Sequence, residues 1–288
     1  MKSISAIDPG LLVRQEVDLR RFAGPFDIVG DVHGCAEELQ ELLVRLGFAV
    51  HLDGTGAVRR ARVAAPHGRR AVFVGDLVDR GPCSPDALRI VMALAAETGA
   101  LCALGNHDAK FRRWLDGRHV NMTHGIDRTV EQFSAESAEF RAETAAFLDG
   151  LPYYLWLDGG RLAVAHAGIK EEMLGRTSGT VRAFCLYGET SGEKDRFGLT
   201  IRYHWALDYR GSTAVVYGHT PVPEAAWVNR TLCVDTGCVF GGKLSALRWP
   251  EKEIVSVPAR QAYAVSKRPF GHPPPRPGAA LASRTKRS

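Results

Sequence analysis

Residues 27 to 47 read DIVGDVHGCAEELQELLVRLG. An apolar run, Phe26 to Val29, passes into Gly30-Asp31-Val32-His33-Gly34, and an amphipathic segment follows. Leu39, Leu42, Leu43 and Leu46 fall at i, i+3, i+4 and i+7, one face of a helix over residues 35–46, with Gly47 placed to stop it. The unit is strand, tight turn, helix, and its turn holds a carboxylate and an imidazole two residues apart. Taken alone, Gly-Asp after a strand is most simply a turn or helix cap, and a lone His at a strand end is a satisfied polar residue.

The unit recurs. A second buried strand, Ala71 to Val74, ends in Gly75-Asp76-Leu77-Val78-Asp79-Arg80-Gly81. A helix then opens at Ser84-Pro85, Ser as N-cap and Pro as N1, and closes at Gly99. ALCALGNHD is a third strand with a polar end, and residues 126–149 are mostly helical. RLAVAHAG, TAVVYGHTP and RTLCVDTGC are three more apolar runs ending in Gly and polar groups, and KLSALRWP with EIVSVP makes a closing hairpin. Strands alternate with helices early and dominate late, which predicts a layered α/β (α+β) sandwich.

The bulk numbers fit a globular protein of ordinary composition. Of 288 residues, 45% are hydrophobic and 24% charged. No apolar run approaches the roughly 18 residues of a membrane span, so no membrane partner is expected. The first residues, MKSISAIDPG, interrupt any signal-like apolar segment, which predicts a cytoplasmic protein. Six scattered cysteines without a Cys-x-x-Cys predict reduced thiols rather than a zinc knot. The net charge of +5 belongs to the tail: removing the six Lys/Arg after Ser266 from 37 leaves 31, against 32 acidic residues, all of which lie before it. The expected divisions are a leader over 1–22, one domain over 23–262, and a basic, Pro-rich, disordered tail over 263–288.

Five strand ends carry the same device: Gly30 to Gly34, Gly75 to Gly81, Gly105-Asn106-His107-Asp108, His166-Ala167-Gly168 and Gly218-His219-Thr220. In α/β folds, sites form beyond the carboxyl ends of strands. Carboxylates, an amide and imidazoles without thiolate suit two divalent first-row ions such as Mn²⁺, Fe or Zn²⁺, and suit Ca²⁺ poorly.

Together, GDVHG, GDLVDRG, GNHD, HAG and GHT resemble the signature of the calcineurin-like metallophosphoesterases. The resemblance implies a double β-sheet sandwich flanked by helices. It implies that Asp31 and His33 hold a first metal, that Asp76 bridges, and that Asn106, His166 and His219 hold a second. Two such ions acidify water and clamp phosphate oxygens. His107 is then the candidate acid for the leaving group, Asp79 its orienting partner, and Arg80 a bidentate fork for phosphate. Asp235, in VDTGC, is a supporting partner of the metal site or a substrate contact. The nearby GCVFGGKL, residues 237–244, nearly spells a phosphate loop, but Leu244 replaces the hydroxyl residue and a strand follows, so it reads as a turn.

GPFDIVGDVHGC, AVFVGDLVDRGP, GNHDAK, LYGETSGEKDRFGL and WVNRTLCVDTGCVFGGKLSALRWPE also resemble the phosphatase module of bacterial polynucleotide kinase-phosphatases. That likeness implies removal of 2′,3′-cyclic and 2′- or 3′-terminal phosphates at RNA ends, helped by Mn²⁺ or Ni²⁺, with kinase and ligase modules supplied separately. The most discriminating piece is Tyr187 to Gly211. Arg59, Arg60, Arg62, Arg69 and Arg70, or Arg112 and Arg113, could contact a polynucleotide backbone. The alternatives are a protein Ser/Thr phosphatase, a dinucleoside tetraphosphatase, or a non-catalytic binding module on the same scaffold.

Overall fold

A computed structural model describes residues 15–195 and 197–266. In chain order the strands are β1 (Phe26–Val29), β2 (Ala49–Asp53), β3 (Arg60–Ala64), β4 (Arg70–Phe73), β5 (Leu101–Cys102), β6 (Tyr154–Leu157), β7 (Leu162–Ala165), β8 (Thr190–Lys194), β9 (Thr200–Arg202), β10 (Ala214–Tyr217), β11 (Trp227–Val228), β12 (Thr231–Cys233), β13 (Lys243–Trp249) and β14 (Glu253–Pro258). The helices are α1 (Ala36–Arg45), α2 (Ser84–Thr98), α3 (Asn106–Leu115), α4 (Ile126–Ser134), α5 (Ala138–Gly150) and α6 (Gly179–Tyr187).

Two five-stranded sheets, β14-β13-β1-β4-β5 and β11-β12-β10-β7-β6, carry the fold, with small hairpins β2-β3 and β8-β9 beside them. Side-chain alternation shows why the central strands are apolar throughout. In β4 and the residue after it, Val72 and Val74 join the core that both sheets share, while Ala71 and Phe73 join the core under the helices. In β10, Ala214 and Val216 point to the shared core and Val215 and Tyr217 to the outer one. A strand buried on both faces loses its polar alternation. The layers are therefore helix, sheet, sheet, helix, the flanked double sandwich that the sequence led us to expect.

α1 forms as its spacing requires. Leu39, Leu42 and Leu43 are fully buried, each worth roughly 1.5–3 kcal/mol relative to exposure. It ends where the amide of Phe48 reaches the Leu43 carbonyl (2.9 Å) and that of Gly47 reaches Val44 (2.9 Å), a Schellman closure.

Several expectations need correction. Ser84 is the first residue of α2 rather than its cap, because its hydroxyl is turned to Thr129 Oγ1 (3.1 Å) and to the amide of Asp79 (3.3 Å). The helical stretch over 126–149 is two helices, the second started by Ser137, whose hydroxyl accepts from the Phe140 amide (3.1 Å). Residues 15–22, placed in the leader, are joined to the domain: Val17 and Leu19 are buried and bond through their backbones to Trp156 (2.8 Å each). Tyr263, placed in the tail, donates its hydroxyl to Glu38 (2.7 Å). Residues 1–14 and the basic, Pro-rich 267–288 lie outside the described residues. All six cysteines are free thiols, and no described helix is long and apolar enough to cross a membrane.

This architecture positions the motifs. β1, β4 and β5 are mutually parallel neighbours, as are β7, β10 and β12. All six run to the same edge, so GDVHG, GDLVDRG, GNHD, HAG, GHT and DTGC leave six strand ends side by side. The near-phosphate-loop sequence is the turn from β12 into β13, as expected.

Candidate metal centre and active site

The first two motif loops are joined backbone to backbone. The amides of Val32 and His33 both donate to the Asp76 carbonyl (3.2 and 2.8 Å), and that of Gly34 donates to Leu77 (2.8 Å). A Cβ on Gly81 would lie 1.8 Å from the His33 carbonyl oxygen, so only glycine permits this approach. The backbone there is strained: His33, Asp76, Asp79, Arg80, His124 and His219 all have positive φ, between 45° and 75°. Such conformations cost on the order of 1–3 kcal/mol each and persist where surroundings over-determine them.

Asp76 lies at the centre. Its Oδ2 is 3.6 Å from His33 Nε2, 3.3 Å from His166 Nε2 and 4.0 Å from His107 Nε2, while its Oδ1 accepts from the His107 amide (2.9 Å). Burial opposes its charge, yet the imidazoles of His166 and His107 hold Asp76 well below the usual carboxylate range. His33 Nδ1 lies 2.8 Å from the Val78 carbonyl, which fixes the tautomer with the Nε2 lone pair toward Asp76. On the other side, His166 Nε2 is 2.9 Å from Asn106 Oδ1 and 2.9 Å from His219 Nδ1. One ring nitrogen cannot satisfy an amide oxygen, a carboxylate and a second imidazole with a single proton. That convergence of lone pairs is what a cation resolves.

Asp31 sits at the edge of this group. Its Oδ2 accepts from the His219 amide (3.0 Å), and its buried Oδ1 has no hydrogen-bond partner. Gly218 makes the room: a Cβ there would stand 1.9 Å from that oxygen. Burial, then the charges of Asp235 and Asp76, push Asp31 well above its ordinary value. Burial also pushes His33 and His219 well below theirs, aided by Arg80 and Arg202 respectively. Neutral imidazoles and a crowded, under-partnered carboxylate form the state in which ligands accept divalent ions. Of three compact groups among the described residues, two lie here, His33-Asp76-His107 and Asp76-His166-His219, with Asp76 in both. All six predicted metal ligands are thus brought together, and they fit the two-metal expectation. His107 enters the first group in place of Asp31, but its Nδ1 is committed to Asp79 Oδ2 at 2.5 Å. It stands edge-on to His33, ring centres 4.9 Å apart.

The acid candidates are also in place. Burial pushes Asp79 up to about 7 and His107 well down. Arg80 differs from the simple phosphate fork: its two terminal nitrogens reach His33 Nε2 (2.6 Å) and His107 Nε2 (2.8 Å). A metal held by His33 would compete with Arg80 for that nitrogen. Asp235 is buried, accepts from the Gly237 amide (3.0 Å) and is pushed by burial to about 6, beside Asp31 rather than among the ligands.

Sequence reasoning missed the supports. Asp108 Oδ1 accepts from the Leu77 amide (2.9 Å) and Oδ2 from the Gly105 amide (3.1 Å), clamping two motif loops together. Thr129 Oγ1 accepts from the Asp79 amide (2.9 Å). The His124-Gly125 turn lies on Arg80, whose amide donates to the Gly125 carbonyl (3.3 Å). Asp108 stands inside a motif already noticed, and His124 in THGID stood out among the remaining histidines; Thr129 had no signal in the chain.

The arginines offered as polynucleotide contacts are largely committed elsewhere. Arg59 pairs with Asp86 (2.7 Å), Arg62 with Asp53 (2.5 Å), Arg69 with Asp27 and Glu251 (3.3 and 2.8 Å), and Arg112 with Asp116. Arg70 lies over Phe22, 4.8 Å from the ring centre.

Comparison with known proteins agrees with this geometry. The family described as calcineurin-like phosphoesterase matches residues 24–223. A protein of Anoxybacillus flavithermus named bis(5′-nucleosyl)-tetraphosphatase PrpE, asymmetrical, is 42% identical over 250 residues, covering 85% of this chain and 99% of its own length. One of the same name from Oceanobacillus iheyensis is 42% identical, covering 84% and 95%. A crystal structure of a protein proposed to be a diadenosine tetraphosphatase superposes with TM-score 0.60 at 26% identity, covering 84% of this chain and 97% of its own. A serine/threonine phosphatase from Saccharomyces cerevisiae, at TM-score 0.58 and 14% identity, covers 92% and 88% and shares the fold. These relatives carry no RNA-repair name, so the nearest likeness expected from the sequence, to polynucleotide kinase-phosphatases, is replaced by one to tetraphosphatases.

Proposed function

From the premise that this chain belongs to the calcineurin-like phosphoesterase family and is a phosphatase-type hydrolase, we propose that its substrate is a dinucleoside tetraphosphate. The carrying observation is the 42% identity over 85% of this chain and 99% of a relative bearing the tetraphosphatase name. Near-complete coverage includes the substrate-facing loops as well as the metal motifs. The RNA-end reading is not supported by the relatives named above, and of the arginines offered for it Arg59, Arg62 and Arg69 carry ion pairs within the fold.

Asp31, His33, Asp76, Asn106, His166 and His219 would hold two divalent transition ions, Mn²⁺ first, with Ni²⁺, Fe or Zn²⁺ as alternatives; once bound, they neutralise phosphate charge and acidify water. The chain's own groups do the rest. Asp79 fixes the His107 ring through Nδ1, and Nε2, which Arg80 now holds, would meet the leaving oxygen once the guanidinium turns away. Arg80, if it gave up its contacts with His33 and His107, would pair with a phosphate through its planar fork. The leaving group from a tetraphosphate is itself a nucleotide phosphate, less basic than an alkoxide, so proton donation is needed less than for a simple ester. Asymmetric attack yields a mono- and a triphosphate.

The test compares four substrates under Mn²⁺: a dinucleoside tetraphosphate, a 2′,3′-cyclic nucleotide, a phosphopeptide and an aryl phosphate. The tetraphosphate should show the highest kcat/KM and give unequal nucleotide products by chromatography. Higher kcat/KM on the cyclic nucleotide or the phosphopeptide overturns the assignment.

A further inference from the structure

The segment Tyr187 to Gly211 is the one discriminating stretch that the metal chemistry leaves unused. It builds the end of α6, the β8-β9 hairpin and the short turn Trp205–Leu207. The fold brings it against the second-metal side of the site. There an open cavity of about 640 Å³, solvent-facing space included, is bounded at one end by Gly218 and His219 and elsewhere by Tyr187, Arg202, Tyr203 and Trp205. A neighbouring cavity along α6 and the hairpin shares Tyr187, Gly188 and Arg202, so a groove leads outward from the metal ligands.

Its walls have a definite chemistry. Trp205 is rigid: its indole N–H donates to the Ala167 carbonyl (3.1 Å), and its ring centre is 5.0 Å from Tyr217 and 5.9 Å from Phe184. Tyr187, by contrast, is 47% exposed at the cavity rim, where packing alone gives no reason to leave a large ring. Arg202 lines the same cavity as His219. Aromatic faces beside a guanidinium, next to a phosphoryl-transfer centre, match a base with its adjoining phosphate.

We propose that this cavity is a nucleoside subsite, in which Tyr187 stacks on one base of the dinucleoside polyphosphate and Arg202 holds a phosphate between that base and the metal centre. The inference rests on the substrate reading above and adds which residues select for nucleotides. Tyr187→Ala should raise KM for the dinucleoside tetraphosphate about tenfold and leave kcat/KM for an aryl phosphate within about twofold; Tyr187→Phe should restore the wild-type KM. Arg202→Gln should act in the same direction on the dinucleotide alone. Inhibition of aryl-phosphate hydrolysis by AMP reads the subsite even if the dinucleotide is not the substrate: its inhibition constant should rise about tenfold in Tyr187→Ala. If wild type ignores the dinucleotide but AMP inhibition weakens in the variant, the substrate reading falls and the subsite stands. Unchanged AMP inhibition, equal losses on dinucleotide and aryl phosphate, or a loss confined to a phosphopeptide overturns the subsite.

Discussion

The two sides of the metal centre are built differently. On the first side, the loops after β1 and β4 are joined by backbone bonds, four residues with positive φ crowd together, and Asp108, Ser84 and Thr129 fill their polar valences. On the second side, His166 and His219 stand on loops of the other sheet, and His219 opens onto a cavity that Arg202 of β9 also lines. The first side holds the proposed acid His107, its partner Asp79 and Arg80, and it is closed. The second supplies ligands and faces outward. A rigid half suits chemistry common to every phosphate substrate, and an open rim suits discrimination among them.

The largest expected effect tests their shared member. Asp76→Asn should lower turnover of aryl phosphate and dinucleotide alike by roughly a thousandfold or more, with circular dichroism unchanged. A loss on one substrate alone would break the division. Next, His107→Asn should cost about 10²-fold or more on an alkyl phosphate, and less where the leaving group is aryl or a nucleotide. Equal losses on all three would remove the proton-donor role.

Gly125→Ala is a smaller, sharper probe of the closed side. Gly125 has φ 88°, and a Cβ there would sit 2.7 Å from the Arg80 nitrogen. Strain of about 1–3 kcal/mol should lower the melting temperature and displace Arg80, reducing turnover of every substrate. An alanine at the same place on the open rim, as in Tyr187→Ala, should do neither. Thr129→Val leaves the Asp79 amide with only the longer Ser84 contact (3.3 Å) and should cost about 1 kcal/mol of stability, read in denaturant melts.

The smallest effect is one of pH. Burial raises Asp79 from 3.8 to about 7 in the folded chain, so the folded state binds this proton more tightly than the unfolded one. Its contribution is fully present below pH 3.8 and is lost as pH rises through about 7. In metal-stripped protein, the melting temperature of wild type relative to Asp79→Asn should therefore fall over that window and flatten above it. A difference that does not vary with pH would place the proton elsewhere.

The chain alone determined the strand-turn-helix units and the six candidate ligands, because strand ends write their polar residues into contiguous motifs. β1 has the predicted limits, and Asp31, His33, Asp76, Asn106, His166 and His219 all meet. The α2 cap was misread because Ser84 follows tertiary partners over local preference. The broader motif likeness drew the substrate toward RNA, since the motifs encode metal chemistry and the rim encodes selection. Only the tertiary structure decided that Thr129 would steady Asp79, that the His124-Gly125 turn would lie on Arg80, and that Arg202 would line the same cavity as His219. Those pairs share no helical or strand period, and their contacts exist only once two sheets have stacked and set their loops edge to edge.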